Sequence, residues 1–278
     1  HGLLYIPEMS QKLQNKLSYF EEIKYALKHQ EFELYYQTQC NEHGTIIGAE
    51  ALLRWHNPRR GIESPAVYIP IAEESDLILN IGTWVLEEAC RHISILQQED
   101  IPEQFGKLSI NVSAKQFAQG NFKEIVQKSI AENNISPHLL GIEITENLLI
   151  DQIHETIRLI SDLKSMGISC SVDDFGTGYS SLTYLKKIPC NMIKIDRAFV
   201  TNLHNDSEAR SIAKLIISLG DSLEKDILAE GVETKEELDC LVNLGCTKFQ
   251  GYYFSKPIPF NSFLAQLKAQ KATIAPST

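Results

Sequence analysis

Between about Ser10 and Gln30, the apolar residues Leu13, Leu17, Phe20, Ile23 and Leu27 recur at spacings of three and four. That is one stripe of an amphipathic helix, with Ser10 as its expected N-cap. Beyond Gln30 the pattern changes. Short apolar runs at Glu33–Gln37, Ile46–Leu53, Leu108–Val112, Gly141–Thr145, Ser169–Asp173, Met192–Ile195, Ile227–Ala229 and Lys248–Gly251 predict strands. Helical periodicity fills most of the gaps. Asp151–Met166 places Ile153, Ile157, Ile160 and Leu163 on one face, and Glu208–Leu223 does the same with Ile212, Leu215, Ile216 and Leu219. Such alternation predicts a parallel sheet with crossover helices, and eight strands suggest closure into a barrel. The first gap is the exception. Asn41-Glu42-His43-Gly44 is too short for a crossover helix and reads as a hairpin, so one strand should run antiparallel to the rest.

Several of these runs end in a group that is expensive to bury: Ser109-Ile110-Asn111-Val112, Gly141-Ile142-Glu143-Ile144-Thr145, Ser171-Val172-Asp173-Asp174, Met192-Ile193-Lys194-Ile195-Asp196 and Ile227-Leu228-Ala229-Glu230. A charge beside a core needs compensation. Residues two apart share a strand face, so Lys194 goes with Asp196, Glu143 with Thr145 and Asn111 with Ser109, while the isoleucines face surrounding helices. The polar faces can then converge at one barrel mouth, giving the set Glu50, Asn111, Glu143, Asp173, Asp174, Lys194, Glu230 and Gln250. Hard oxygen ligands of this kind suit Mg²⁺ or Mn²⁺. Adjacent Asp173 and Asp174 could serve two ions, with Asp173 bridging, which is the usual device for in-line displacement at phosphorus. A lysine among them can activate water or offset transition-state charge. Singly, each has an ordinary explanation. Asn111 could cap the following helix, Gln250 could satisfy a backbone group, and an aspartate at a strand end is often a turn residue.

Composition narrows the picture. The 278 residues are long for one ordinary domain but normal for an α/β barrel. A formal net charge of -10 argues against binding a nucleic-acid polymer through phosphate neutralisation, although bound cations can still invert the local field around a small phosphorylated substrate. The six cysteines form no C-x-x-C pair and match no zinc template, so they read as free buried thiols of a reducing, cytoplasmic compartment. No apolar stretch reaches the ~18–20 residues needed to span a bilayer, and no secretory signal is visible. The glycines of Asp173-Asp174-Phe175-Gly176-Thr177-Gly178-Tyr179-Ser180-Ser181 permit tight turns, and Ser180 or Ser181 can cap a helix over Leu182–Lys187. Gly176-Thr177-Gly178 lacks the third glycine of a dinucleotide fingerprint.

Glu50-Ala51-Leu52-Leu53-Arg54-Trp55 resembles the signature of the EAL-domain cyclic-di-GMP phosphodiesterases. The resemblance continues in order through Asn111-Val112-Ser113, Glu143-Ile144-Thr145-Glu146, Asp173–Ser181, Lys194-Ile195-Asp196, Ala229-Glu230-Gly231-Val232-Glu233 and Gln250-Gly251-Tyr252-Tyr253-Phe254-Ser255-Lys256-Pro257, covering about Glu31 to Leu267. It implies an α/β fold, a modified (β/α)8 TIM-type barrel with an antiparallel first strand. It implies three segments: an N-terminal linker and connector helix over 1–30, the phosphodiesterase barrel over 31–270 and a tail over 271–278.

The resemblance also implies hydrolysis of cyclic di-GMP to linear pGpG by two-metal in-line water attack. By it, Glu50, Asn111, Glu143 and Asp173 bind one Mg²⁺ or Mn²⁺. Asp173 and Asp174 serve a second, with Glu230 as ligand or water holder, and Ca²⁺ inhibits. Lys194 activates water or stabilises charge, and Gln250 holds a water. Arg54 contacts a substrate phosphate, where a planar fork is more useful than a point charge. Gln37, Leu53 and Asp196 are further substrate-side candidates. Glu146 anchors the 174–181 loop, which couples metal binding to homodimerisation. An upstream diguanylate-cyclase-like or sensor domain is expected, and it could attach the full-length protein to the inner membrane. The competing reading is a non-catalytic cyclic-di-GMP receptor domain. Such relatives usually lack a metal ligand, the lysine or the loop sequence, and all are present here. Two departures, Thr38 where proline is frequent and Asp76 where glycine is common, remove no catalytic group.

Overall fold

The computed structural model describes residues 7–146, 148, 153–176 and 185–274. Eight strands close into a ring: β1 (Phe32–Asn41), β2 (Ile46–Asn57), β4 (Lys107–Asn111), β5 (Leu140–Thr145), β6 (Ser169–Phe175), β7 (Met192–Ile195), β8 (Asp226–Ala229) and β9 (Lys248–Gln250), with β9 returning to β1. All neighbours in the ring are parallel except at β1, which is antiparallel to both β2 and β9. The hairpin at Asn41 is the cause. The Asn41 side chain accepts from the backbone N–H of His43 and Thr45, so the chain reverses without a crossover. Two short strands, β3 (Gly61–Glu63) and β10 (Ile258–Pro259), extend β2 and β1 outside the ring.

Strand alternation divides the residues as the sequence requires. Ile110, Ile142, Ile144, Val172, Ile193 and Ile195 are buried under the surrounding helices, each contributing about 1.5–3 kcal/mol relative to exposure. The inward positions of β4, β5 and β6 are small below and polar above: Ser109, Gly141 and Ser171, then Asn111, Glu143 and Asp173. Gly141 has no room for a side chain, since a Cβ there would meet Ser109 Oγ at 2.4 Å.

Three expectations are corrected. Ser10 is not an N-cap, because the first helix already begins at Pro7, whose fixed φ and missing N–H suit a helix start. On that helix Ile23 is fully buried, but Leu17 is 60% exposed. On the helix Ser207–Ser222 the buried face is Ala209, Ala213, Ile216, Ile217 and Gly220, and Leu215 is 69% exposed. Small residues set that face because the helix lies close to β8: a Cβ on Gly220 would meet Ile227 at 2.4 Å. A count of large apolar residues overlooks this. The helix expected over Leu182–Lys187 and its caps, Ser180 or Ser181, fall largely or wholly outside the described residues. The last helix, Phe260–Ile274, crosses position 270. No helix among the described residues is long and apolar enough to cross a membrane.

Candidate active site

The C-terminal ends of the parallel strands bring Glu50 from β2, Asn111 from β4, Glu143 from β5, Asp173 from β6, Lys194 from β7, Glu230 just after β8 and Gln250 from β9 to one point. Lys194 is the centre. Its side chain is 0% exposed, and its ammonium Nζ lies 3.3 Å from Glu50 Oε2, 3.2 Å from Asp173 Oδ1 and 2.6 Å from Glu230 Oε1, and also contacts Glu143 Oε2. Burial alone would push this amine down, but Asp173, Glu143, Glu230 and Glu50 together hold it well above its ordinary value. Lys194 is therefore a fixed positive charge.

Four carboxylates on one ammonium are underneutralised. Burial, reinforced by Glu50 and Asp173, pushes Glu143 up to about 8 against the pull of Lys194. Burial acts the same way on Glu230, with Asp173 and Glu50 adding to it, although that side chain keeps 17% of its surface exposed. Glu143 Oε1 is buried with no hydrogen-bond partner. Buried polar atoms are rarely left so. One oxygen of each of Glu50, Glu143 and Asp173 lies within 4.8 Å of the others, and the same holds for Asp173, Asp174 and Glu230. The donor set is carboxylates and side-chain amides, hard oxygen chemistry that fits Mg²⁺ or Mn²⁺.

Amide side chains orient the acids. Asn111 Nδ2 donates to Glu50 Oε1 at 2.5 Å, and Gln250 Nε2 donates to Glu50 Oε2 at 2.5 Å. Gln250 also donates to Gln37 Oε1 at 3.3 Å and accepts from Gln39 Nε2 at 3.1 Å. Asn111 does not cap the next helix. That role belongs to Ser113, which forms a capping box with Gln116.

Asp173 and Asp174 are consecutive and would ordinarily face opposite sides of a strand. A break of register between Val172 and Phe175 and a left-handed Asp174, φ +54°, bring both carboxylates to the same cluster. Asp174 is pushed up to about 6 by partial burial and by Asp173 and Asp196, and it hydrogen-bonds the Asp196 side chain. Asp196 in turn caps the short turn Arg197–Phe199 through Ala198 N–H at 2.8 Å. Glu146, 2% exposed, accepts from the Gly176 N–H at 2.8 Å and so ties the loop after β6 to the end of β5.

Above the acids is a cleft of about 260 Å³ lined by Gln37, Glu50, Asp173 and Glu230, and also by Arg197, Glu233 and Tyr252. The sequence pattern does not single out these last three. The Arg197–Glu233 pair, 2.8 Å apart, carries no signal in alternation because both residues lie beyond strand ends. Gln39, two positions from Gln37 on the same face, could have been found by period-2 reading. Arg54 lies on the Glu50 face of β2, with its guanidinium 5.7 Å from the Tyr35 ring and bonded to Leu53 O at 2.8 Å. Leu53 itself packs against the apolar core.

A family model described as the EAL domain matches residues 21–257. The bifunctional diguanylate cyclase/cyclic di-GMP phosphodiesterase MucR of Pseudomonas aeruginosa is 36% identical over 260 residues, which is 93% of this chain and 38% of that protein. The oxygen sensor protein DosP of Escherichia coli is 38% identical over 254 residues, 91% of this chain and 32% of that protein. The chain thus spans about a third of the length of such relatives. The solved structure of the P. aeruginosa MucR phosphodiesterase in complex with c-di-GMP matches at 36% identity and a TM-score of 0.85, covering 88% of this chain and 99% of that one. The EAL enzyme Bd1971 in its cAMP- and cyclic-di-GMP-bound form matches at 32% identity and a TM-score of 0.87, covering 94% and 71%. Sequence, closed barrel and mouth geometry agree: the chain belongs to the EAL domain family.

Proposed function

We propose that this domain is a phosphodiesterase that hydrolyses one phosphodiester bond of cyclic di-GMP to give linear pGpG. The observation that carries the reading is the convergence of Glu50, Glu143, Asp173 and Glu230 on a fully buried Lys194 at the barrel mouth. It is joined by the likeness to a phosphodiesterase solved with c-di-GMP. Glu50, Asn111, Glu143 and Asp173 would hold one Mg²⁺ or Mn²⁺, and Asp173, Asp174 and Glu230 a second. Such ions supply Lewis-acid stabilisation of charge on phosphoryl oxygens and acidify the attacking water.

The chain's own residues do the rest. Water forms the new P–O bond, the bond to the ribose 3′ oxygen breaks in line, and the water's proton ends on that leaving oxygen. Lys194 is a preorganised positive charge beside the acids, placed to offset negative charge growing at phosphorus. Gln250 and Asn111 fix the Glu50 carboxylate from both sides, and Arg54 holds a substrate phosphate. Glu146 keeps the loop at Asp174 in place. The domain acts as one module of a longer signalling protein, and as a homodimer.

The test is incubation of purified protein with cyclic di-GMP and Mg²⁺ or Mn²⁺, with products separated by chromatography, beside EDTA and Lys194→Ala controls. pGpG that depends on the cation and vanishes in the variant supports the reading. Tight substrate binding with no product in any cation overturns it.

A further inference from the structure

The barrel is electrostatically two-sided. Its C-terminal mouth is acidic, but at the opposite end the first residues of β4 and β9 are Lys107 and Lys248. They lie on the inward faces that carry Asn111 and Gln250 higher up. Here a cavity of about 660 Å³ is lined by Lys107, Lys164, Lys248, His138, Ser169 and Asn191 among others, and among the described residues no aspartate or glutamate lines it. In a chain of net charge -10 this is a local reversal of sign. A larger cavity of about 770 Å³, between helices Ala114–Phe117 and Ile153–Ser165, makes the contrast: it mixes Lys115, Lys123 and Arg158 with Glu124, Glu155 and Asp162.

Lys107 gives the cavity its chemistry. Its side chain is largely withdrawn from water, and among the described residues its ammonium has one hydrogen-bond partner, the Ser169 hydroxyl at 2.6 Å. Among the described residues no carboxylate lies within 4 Å of it. Burial, and then the nearby Lys248, push its pKa down, against smaller upward pulls from the more distant Glu143 and Asp226. Lys248 is bound to Asp226 at 2.6 Å, and among the described residues no carboxylate forms an ion pair with Lys107 or Lys164. A partly buried ammonium with a second ammonium as neighbour and only a hydroxyl as partner is costly unless an anion shares the site.

We propose that the N-terminal mouth of the barrel is an anion site for a phosphate group, with Lys107 and the Ser169 hydroxyl at its base and Lys164 and Lys248 at its rim. The site is at the far end of the barrel from the catalytic carboxylates, and one side chain touches both regions. Gln39 lines this cavity and donates to Gln250, which donates to Glu50.

The test is titration of the full chain, ¹⁵N-labelled and in EDTA, with inorganic phosphate at constant ionic strength, following amide shifts. Saturable shifts at Lys107, Ser169 and Lys248 are expected. Lys107→Met, an apolar replacement of similar length, should weaken binding at least tenfold, and Lys164→Gln about threefold. Lys123→Met, in the mixed cavity, should leave it unchanged. A parallel titration with a nucleoside 5′-monophosphate separates free phosphate from an esterified one: equal affinity assigns the site to phosphate itself, tighter binding to the ester. Shifts that do not saturate, or that persist undiminished in both Lys107→Met and Lys164→Gln, overturn the proposal. No turnover is measured, so the result is independent of the phosphodiesterase reading.

Discussion

Asp174 sits at φ +54°, where an L-residue with a Cβ pays roughly 1–2 kcal/mol. The hydrogen bond of its short side chain to Asp196 offsets part of this. Asp174→Gly removes the steric cost but loses the Asp196 hydrogen bond and adds the unfolded-state entropy of glycine, roughly 0.5–1 kcal/mol, so gain and loss nearly cancel. Asp174→Ala keeps the Cβ and loses the hydrogen bond. We expect the glycine variant to match wild-type stability to within about 1 kcal/mol, and the alanine variant to lie about 0.5–1 kcal/mol below the glycine one, the steric cost less the entropy that glycine adds. Both lose the carboxylate that completes the group with Asp173 and Glu230, so both should lose most turnover and the weaker of two Mn²⁺ binding events. Urea unfolding in EDTA measures the first pair of values, and calorimetric Mn²⁺ titration with a cyclic di-GMP assay measures the second. An alanine variant more stable than the glycine variant by about 0.5–1 kcal/mol, the entropy difference alone, would show that the left-handed backbone stores no strain. Wild-type turnover in either would remove Asp174 from the site.

Lys194→Met leaves the four carboxylates without their ammonium and should cost about 3–5 kcal/mol in EDTA, with Mn²⁺ raising its Tm more than that of wild type; equal melting of both proteins in EDTA would contradict this. A Cβ at Gly251 would lie 2.1 Å from Val232 O and 2.3 Å from Val232 N, both main chain, so Gly251→Ala must displace the end of β9. It should lower stability by about 1–3 kcal/mol and turnover at least tenfold through Gln250, and an unchanged Tm would count against the contact. His92, wedged between the Tyr36 hydroxyl at 2.5 Å and the Phe260 ring, is held down at about 4 by burial and Arg91 against the pull of Glu88. The folded chain therefore binds fewer protons than the unfolded one between pH 6.5 and 4. The stability from neutral His92 is full above 6.5 and lost as pH falls through that window, by about 3 kcal/mol. Denaturation of His92→Gln should show a flatter pH slope there; a slope equal to wild type would refute the assignment.

The ring of strands and its antiparallel member could be read from the chain because one signal, a gap too short for a helix, has one geometric solution. The convergence of the carboxylates was equally legible, since a carboxylate flanked by isoleucines has few places to go. What could not be read was conformation that breaks the period. Alternation sends Asp173 and Asp174 to opposite faces, and only the left-handed residue reunites them. Periodicity places Leu215 on a buried face because large apolar residues dominate such counts, whereas Ala209, Ala213 and Gly220 let the helix approach. β2 runs on to Asn57, past the expected end at Leu53, because Trp55 is buried and paired with Phe32, beyond the range of local pattern.

The seam between β1 and β9 has a consequence for how the molecule is made. Gln39 and Gln250 are partners across it, yet more than two hundred residues of synthesis separate them. The β1–β2 hairpin can form early, but until β9 emerges β1 offers an unpaired edge and the sheet stays open. Contacts this distant in sequence slow folding and prolong exposure to misassembly. Gln250, which holds Glu50, arrives on that final strand. On the proposed phosphodiesterase reading, activity requires this closure, and recovery of activity after dilution from denaturant would clock the sealing of the barrel.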